Sequence, residues 1–253
     1  MKKIFINFPL FVAVLLLFQF CSSDSEVAPG TTTGQGGSMA RFTIAGDYLY
    51  IVDNKSLKPF NIADKTNIKS RPVINIEYGI ETIFPYQNKL FVGARDGMHI
   101  FDITQPENPD YISTYRHITA CDPVVVNENT AYVTLRAGTN CGGGVNVLDI
   151  IDISNPANPS RLNSYNMSGP YGLGVVDTLL FVCEGPLGMK VMNVKDPFNV
   201  TTLDIASDID GFDVIPLKEQ KILLMVGEDG FAQYDFSDPY NLKLLSRIDV
   251  VEN

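Results

Sequence analysis

Five times along this chain an apolar run ends in the same polar turn. The turn reads Ile103-Thr104-Gln105-Pro106-Glu107-Asn108-Pro109, Ile153-Ser154-Asn155-Pro156-Ala157-Asn158-Pro159, Val194-Lys195-Asp196-Pro197-Phe198-Asn199 and Phe236-Ser237-Asp238-Pro239-Tyr240-Asn241, with a decayed first copy in Ile62-Ala63-Asp64-Lys65-Thr66-Asn67. The closing Asn falls at 67, 108, 158, 199 and 241, at spacings of 41, 50, 41 and 42. A period of this size belongs to a supersecondary unit that buries its apolar surface against copies of itself.

Inside each unit the punctuation is alike. A Gly opens an apolar run in Gly97-Met98-His99-Ile100-Phe101-Asp102, Gly188-Met189-Lys190-Val191-Met192-Asn193 and Gly230-Phe231-Ala232-Gln233-Tyr234-Asp235. Upstream lies a β-rich run, at 48–52, 89–92, 131–135, 179–183 and 222–226, and before that another, as at 42–44, 124–126 and 212–215. A fourth follows the Asn turn, as at 111–115 and 244–248. Four short strands fill each period and no helical periodicity follows residue 38. Four antiparallel strands in about 40 residues are the arithmetic of a propeller blade, and neighbours on both sides of a blade explain why its strands read as nearly unbroken apolar runs. The chain is therefore expected to be all-β, a five-bladed β-propeller of four-stranded antiparallel blades. A sandwich or β-helix is the weaker alternative. A closed ring would set the strand near Arg41 beside the one near Ile248.

Composition narrows function. Of 253 residues 45% are apolar and 19% charged, and the formal net charge is −10, or −12 once Lys2 and Lys3 are removed with the segment they begin. Such a balance excludes nucleic acid as a natural partner. Two His and four scattered Cys, with no CxxC pair, give no structural metal site, and no cofactor is expected. Asp208-Ile209-Asp210-Gly211 has the look of a calcium-loop fragment but lacks the downstream Glu.

The first residues are an address. Met1-Lys2-Lys3 precedes an apolar run over 4–18 that is too short to span a bilayer and suits a signal peptide. The sequence that follows, Gln19-Phe20-Cys21-Ser22-Ser23-Asp24, resembles a bacterial lipoprotein signal, in which the matching Cys21 carries the lipid. Phe20 departs from the small residue usual before that Cys. Residues 22–38, rich in Ser, Thr, Gly and acidic side chains, cannot bury enough surface to offset chain entropy and form a tether. The expected organisation is signal peptide over 1–20, tether over 21–38 and propeller over 39–253. The expected protein is exported, lipid-anchored at the outer membrane or cell surface, and monomeric.

Leu49-Tyr50-Ile51-Val52-Asp53 and the pattern Gly-x-x-φ-φ-Asp-φ-Ser-x-Pro-x-Asn-Pro resemble the LVIVD repeat of bacterial and archaeal surface proteins, over residues ~40 to 250. The unit departs most in its first copy, with Ser56 for the Gly and Lys65 for the Pro. The resemblance implies a propeller fold and a surface location, and no defined activity.

In such a fold the loops before each first strand and between second and third strands share one face, opposite the Asn-Pro turns. The third unit is longer by nine residues, most of them in Arg136-Ala137-Gly138-Thr139-Asn140-Cys141-Gly142-Gly143-Gly144. This loop, with Tyr171 and Phe212 from neighbouring units, is the expected recognition face, because aromatic and Arg side chains anchor most contacts. Asp122 and Asp213 join Arg136, Asn140, Tyr171 and Phe212 as binding candidates. The expected role is non-enzymatic capture of a protein or glycan. The rival is a carbohydrate-active enzyme using carboxylates near the funnel, among Glu81, Asp122, Glu184, Asp213, Glu228 and Asp229, with Arg41, Arg95 and Arg136 as cations. His99 lies between apolar neighbours and is expected to pack a blade, without a Ser or Cys nucleophile. Cys121 and Cys141 are expected to form a disulfide closing a loop of about 20 residues, which leaves Cys183 as a buried thiol; the rival pairing is Cys141 with Cys183.

Overall fold

Runs of β-branched and aromatic residues, cut by Gly, Asn and Asp at fixed intervals, fold into meanders. A computed structural model describes residues 36–76, 79–117, 123–138 and 144–250. Blade one holds β1 (Phe42–Ala45), β2 (Tyr48–Val52) and β3 (Ser56–Asn61), with β4 (Lys69–Ser70) and β5 (Ile74–Asn75) both paired to β3. Blade two is β6 (Ile80–Tyr86), β7 (Lys89–Ala94), β8 (Gly97–Asp102) and β9 (Asp110–Arg116). Blade three is β10 (Val124–Asn127), β11 (Thr130–Leu135), β12 (Val147–Asp152) and β13 (Ser160–Asn166). Blade four is β14 (Leu173–Val176), β15 (Leu179–Cys183), β16 (Met189–Asn193) and β17 (Thr201–Ala206). Blade five is β18 (Gly211–Leu217), β19 (Ile222–Gly227), β20 (Gly230–Asp235) and β21 (Lys243–Asp249). All pairings are antiparallel between successive strands, save the split outer edge of blade one.

The first strands pack in the order β1-β6-β10-β14-β18 around the centre, which is the propeller arrangement that the repeat predicts. Apolar side chains gather in four clusters, one at each successive blade junction. In blade two, residues 90–94 are buried on both faces, whereas β2 and β19 alternate because a neighbour covers one side alone. Among the described residues no strand of blade five pairs with blade one, and the two blades do not pack as consecutive blades do. What joins them is the segment before β1, described with the site below.

The repeat's punctuation has physical causes. The Asp or Asn ending each third strand accepts a hydrogen bond two residues on: Asp102 from Thr104 N (2.6 Å), Asp152 from Ser154 N (2.8 Å), Asn193 from Lys195 N (3.0 Å) and Asp235 from Ser237 N (2.7 Å). The turn's Pro carbonyl then accepts a hydroxyl from the preceding blade, from Tyr50 to Pro106 (2.8 Å), Ser113 to Pro156 (2.6 Å) and Tyr165 to Pro197 (2.8 Å). Gly97 and Gly230 are demanded by crowding. A Cβ there would stand 2.2 Å from the Tyr115 carbonyl oxygen or 2.1 Å from that of Ile248, at φ of +153° and +147°. In blade one the fourth strand breaks at Arg71-Pro72-Val73, where Pro72 has no N–H to give the ladder.

Candidate binding face

Three blades contribute one stack. Arg136 follows β11, Tyr171 precedes β14 and Phe212 lies at the start of β18. The Arg136 guanidinium carbon sits 3.8 Å from the Tyr171 ring centroid, and the Tyr171 and Phe212 rings stack at 5.2 Å and 28°. All three side chains are half-buried. Backbone bonds fix the centre of the stack: Tyr171 N donates to Cys183 O (2.8 Å), Gly172 N to Phe212 O (2.8 Å), and Thr134 Oγ1 to Tyr171 O (2.7 Å). A cation over a ring that is itself offset-stacked is a preformed platform whose outer edge is open to a partner. Of the candidates read from the sequence, Arg136, Tyr171 and Phe212 thus come together, while Asn140, Asp122, Cys121, Cys141 and Cys21 lie outside the described residues.

Asp213 takes a different part. Its Oδ1 accepts from Ser38 Oγ (2.9 Å) and Val214 N (3.0 Å), and its Oδ2 from Met39 N (3.2 Å). Ser38 Oγ in turn accepts from Leu173 N (2.8 Å), and Ser38 is 1% exposed. The segment before β1 is therefore latched across the first strands of blades four and five, and Ala40 O accepts from Ile83 N of blade two (2.9 Å). Gly37 and Gly172 make room, since a Cβ on either would stand about 2 Å from the Asp213 carboxylate. Burial pushes the Asp213 carboxyl above the usual carboxylate range, against the opposing pull of the Ser38 and Met39 hydrogen bonds. This carboxylate is structural.

Other acidic groups near this face are also engaged. Glu81 meets Arg41 (3.6 Å) and Asp229 meets Arg247 (2.8 Å). Buried Glu184 meets Lys190 (2.6 Å) and accepts from Ser168 N (2.7 Å). His99 is 4% exposed, with Nδ1 at 2.7 Å from Thr114 Oγ1 and Nε2 at 3.5 Å from Asp96, so it packs a blade as expected but with a hydroxyl beside it. The strand register placed Thr114 there, and no sequence spacing announced it. Cys183 is a free, fully buried thiol whose pKa burial pushes up, which excludes its pairing with Cys141.

The central funnel is a cavity of about 330 Å³ walled by Gly36, Phe84, Val125, Leu173 and Val214, with Asp177 and Lys218 at its rim, 2.6 Å apart. A second cavity, of about 500 Å³, lies between blades two and three beside Asp149. Sequence reasoning passed over Asp149. Its signal was present, an acidic residue inside the apolar run Val147-Leu148-Asp149-Ile150-Ile151.

The LVIVD repeat family matches residues 36–68 and 119–167. No curated protein matches the sequence. Solved structures with the same fold include a functionally unknown protein from Desulfotomaculum acetoxidans, 8% identical with a TM-score of 0.67 over 87% of this chain and 70% of that one. A protein from Lactobacillus plantarum is 11% identical, with a TM-score of 0.64 over 79% of this chain and 67% of that one. The periplasmic gluconolactonase PpgL of Pseudomonas aeruginosa is 12% identical, with a TM-score of 0.59 over 81% of this chain and 68% of that one. At such identities the likeness is one of fold.

Proposed function

We propose that this five-bladed propeller, which carries LVIVD repeats, is a lipid-anchored surface module that captures a protein or glycan without chemistry. The observation that carries the reading is the Arg136–Tyr171–Phe212 stack, assembled from three blades on the side that bears the lengthened loop of blade three. Arg and Tyr at the centre of a half-desolvated patch are the residue types in which binding energy concentrates. Among the described candidates, Glu81, Glu184, Asp229 and Asp213 are engaged by Arg41, Lys190, Arg247 and the Ser38 latch, which supports recognition over catalysis. Anchoring rests on the resemblance of the sequence around Cys21 to a lipoprotein signal, and an acidic surface keeps nucleic acid away.

Glycan-array binding, read beside an assay for released reducing sugar, tests this. Tyr171→Ala removes the middle of the stack and leaves the backbone bonds of residue 171 in place. The expected result is capture without sugar release by the native protein, weakened by about tenfold or more in Tyr171→Ala. Sugar release by the native protein would overturn the reading in favour of a hydrolase.

A further inference from the structure

Blades two to five each have one position in the third strand that faces the preceding blade near the ligand side, and the repeat supplies its own comparison there. The equivalents are His99, paired across to Val92; Asp149, paired to Val133; Lys190, paired to Val182; and Ala232, paired to Met225. In blade two the His99 ring has Thr114 and Asp96 beside it, and in blade four Lys190 has Glu184 at 2.6 Å. In blade five the residue is Ala. Blade three puts a carboxylate at this position. The Asp149 side chain is 1% exposed, yet its Oδ1 has no hydrogen-bond partner among the described residues. Its Oδ2 accepts from Tyr115 OH at a long 3.4 Å and lies 3.7 Å from Arg161 Nη1.

A buried carboxylate with an orphaned oxygen costs stability, and such a group in a native fold calls for an explanation, a bound donor among them. Here it borders open space. The cavity beside Asp149 measures about 500 Å³, within the range that small-ligand sites occupy (~300–1,000 Å³). Its walls are apolar Leu135, Val145 and Val147, with the Tyr115 and His117 rings, Ser164 and two cations adding the polar points: Arg161, which faces Asp149, and Arg116, whose charge Asp96 already meets at 2.8 Å. Leu135 and Val145, which line the cleft, stand in sequence on either side of the lengthened segment 136–144.

We propose that the cleft between blades two and three binds a neutral sugar ring, with Asp149 as the residue that recognises it. The chemistry follows from what is missing. Arg161 already offsets the carboxylate charge, so an ammonium ligand would leave the cleft with surplus positive charge. Oδ1 lacks a donor, the half-exposed Arg161 guanidinium can donate to an acceptor, and a hydroxyl group is both donor and acceptor. Two adjacent hydroxyls, as on a pyranose, can bridge Asp149 and Arg161 while the ring's apolar face lies on Tyr115 and the Val145–Val147 wall. Burial, with the Asp149 charge second, pushes the Tyr115 hydroxyl up to about 12, so it remains a donor to Oδ2 at any working pH. This site deepens the reading of the protein as a capture module and rests on it.

Ligand-observed NMR and calorimetry on the mature full-length protein test the proposal, with the methyl glycopyranosides of glucose, galactose, mannose and N-acetylglucosamine as probes and ethanolamine as the cationic control. At least one glycoside should bind at millimolar concentration or below, ethanolamine should not, and Asp149→Asn and Asp149→Leu should each weaken that binding by about tenfold or more. In the absence of sugar both variants should melt higher than the native protein, because the orphaned carboxylate is gone. A lower melting temperature in both would make Asp149 structural and overturn the assignment. So would binding that survives Asp149→Asn, binding by ethanolamine alone, or no binding by any of the four glycosides. Failure here is separable from failure of the capture reading, since array binding that depends on Tyr171 and is indifferent to Asp149 sinks the sugar cleft and leaves the stack.

Discussion

At the scale of single residues, aspartates in this molecule do opposite things according to burial. Asp102, Asp152 and Asp235 are half-buried at the strand ends, and hydrogen bonds from Thr104, Ser154 and Ser237 hold them below the usual carboxylate range. A lowered folded pKa contributes stability that is present above the unfolded value of about 3.9 and lost as pH falls through the folded value. Asp213, raised by burial, runs the other way: its contribution is complete below about 3.9 and declines as pH rises through its folded value. The strand-end aspartates therefore set the acid limb. Changing Asp102, Asp152 and Asp235 together to Asn should leave the neutral-pH fold intact, because Asn61 and Asn193 already make the same bond in blades one and four. The same variant should flatten the fall in melting temperature below about pH 4. Thermal melts across pH 2–7 check this, and an unchanged acid slope would refute the assignment.

At the scale of elements, the unit of construction is a hairpin pair closed by an Asx turn, and the turn does two jobs. It ends the third strand, and its Pro carbonyl takes a hydroxyl from the blade before, so blades are stapled at their outer ends as well as packed through their apolar faces. On the opposite side the loops between second and third strands lack the repeated Asx-Pro turn and vary in length. Only Arg95 and Asp96 separate β7 from β8, and five residues separate β15 from β16, against eleven between β11 and β12. Removing residues 138–143 should leave the melting temperature within about 2 °C of the native protein, since the same strand pair is joined by shorter loops in blades two and four. Capture through the recognition face should weaken. Equal capture by both versions, with unchanged melting, would mean that the insertion contributes nothing to binding.

For the whole molecule, four blade junctions are packed and the two terminal blades each keep a half-covered outward face, with Phe42 60%, Val226 49% and Ile248 67% exposed. The Ser38–Asp213–Leu173 latch ties the start of blade one to blades four and five in place of a fifth apolar junction. The lipid anchor proposed for the protein belongs to this scale. Cys21→Ala is expected to move it from the membrane fraction to a soluble or unprocessed pool, as removal of the acyl anchor would require. Fractionation and immunoblotting read the outcome, and unchanged membrane association would exclude a Cys21 anchor.

The repeat, its four strands and their turns were legible in the sequence because the information is local: alternating burial, the Asx-Pro turn and the Gly that crowding demands are each written within a few residues. Strand boundaries at Tyr48–Val52 and Leu179–Cys183 follow directly. Arg136 and Tyr171 could be named as loop residues, and Phe212 as the opening of a first strand, from the repeat alone. Their stacking could not, since it depends on how three blades are placed. The latch role of Asp213, the hydroxyl of Thr114 beside His99, the unfilled carboxylate of Asp149 and the open junction between blades five and one were likewise decided by tertiary structure. Strand register and the angle between blades choose which side chains meet. Those are set by the packing of apolar faces drawn from distant units, a sum over many contacts that no short stretch of sequence contains.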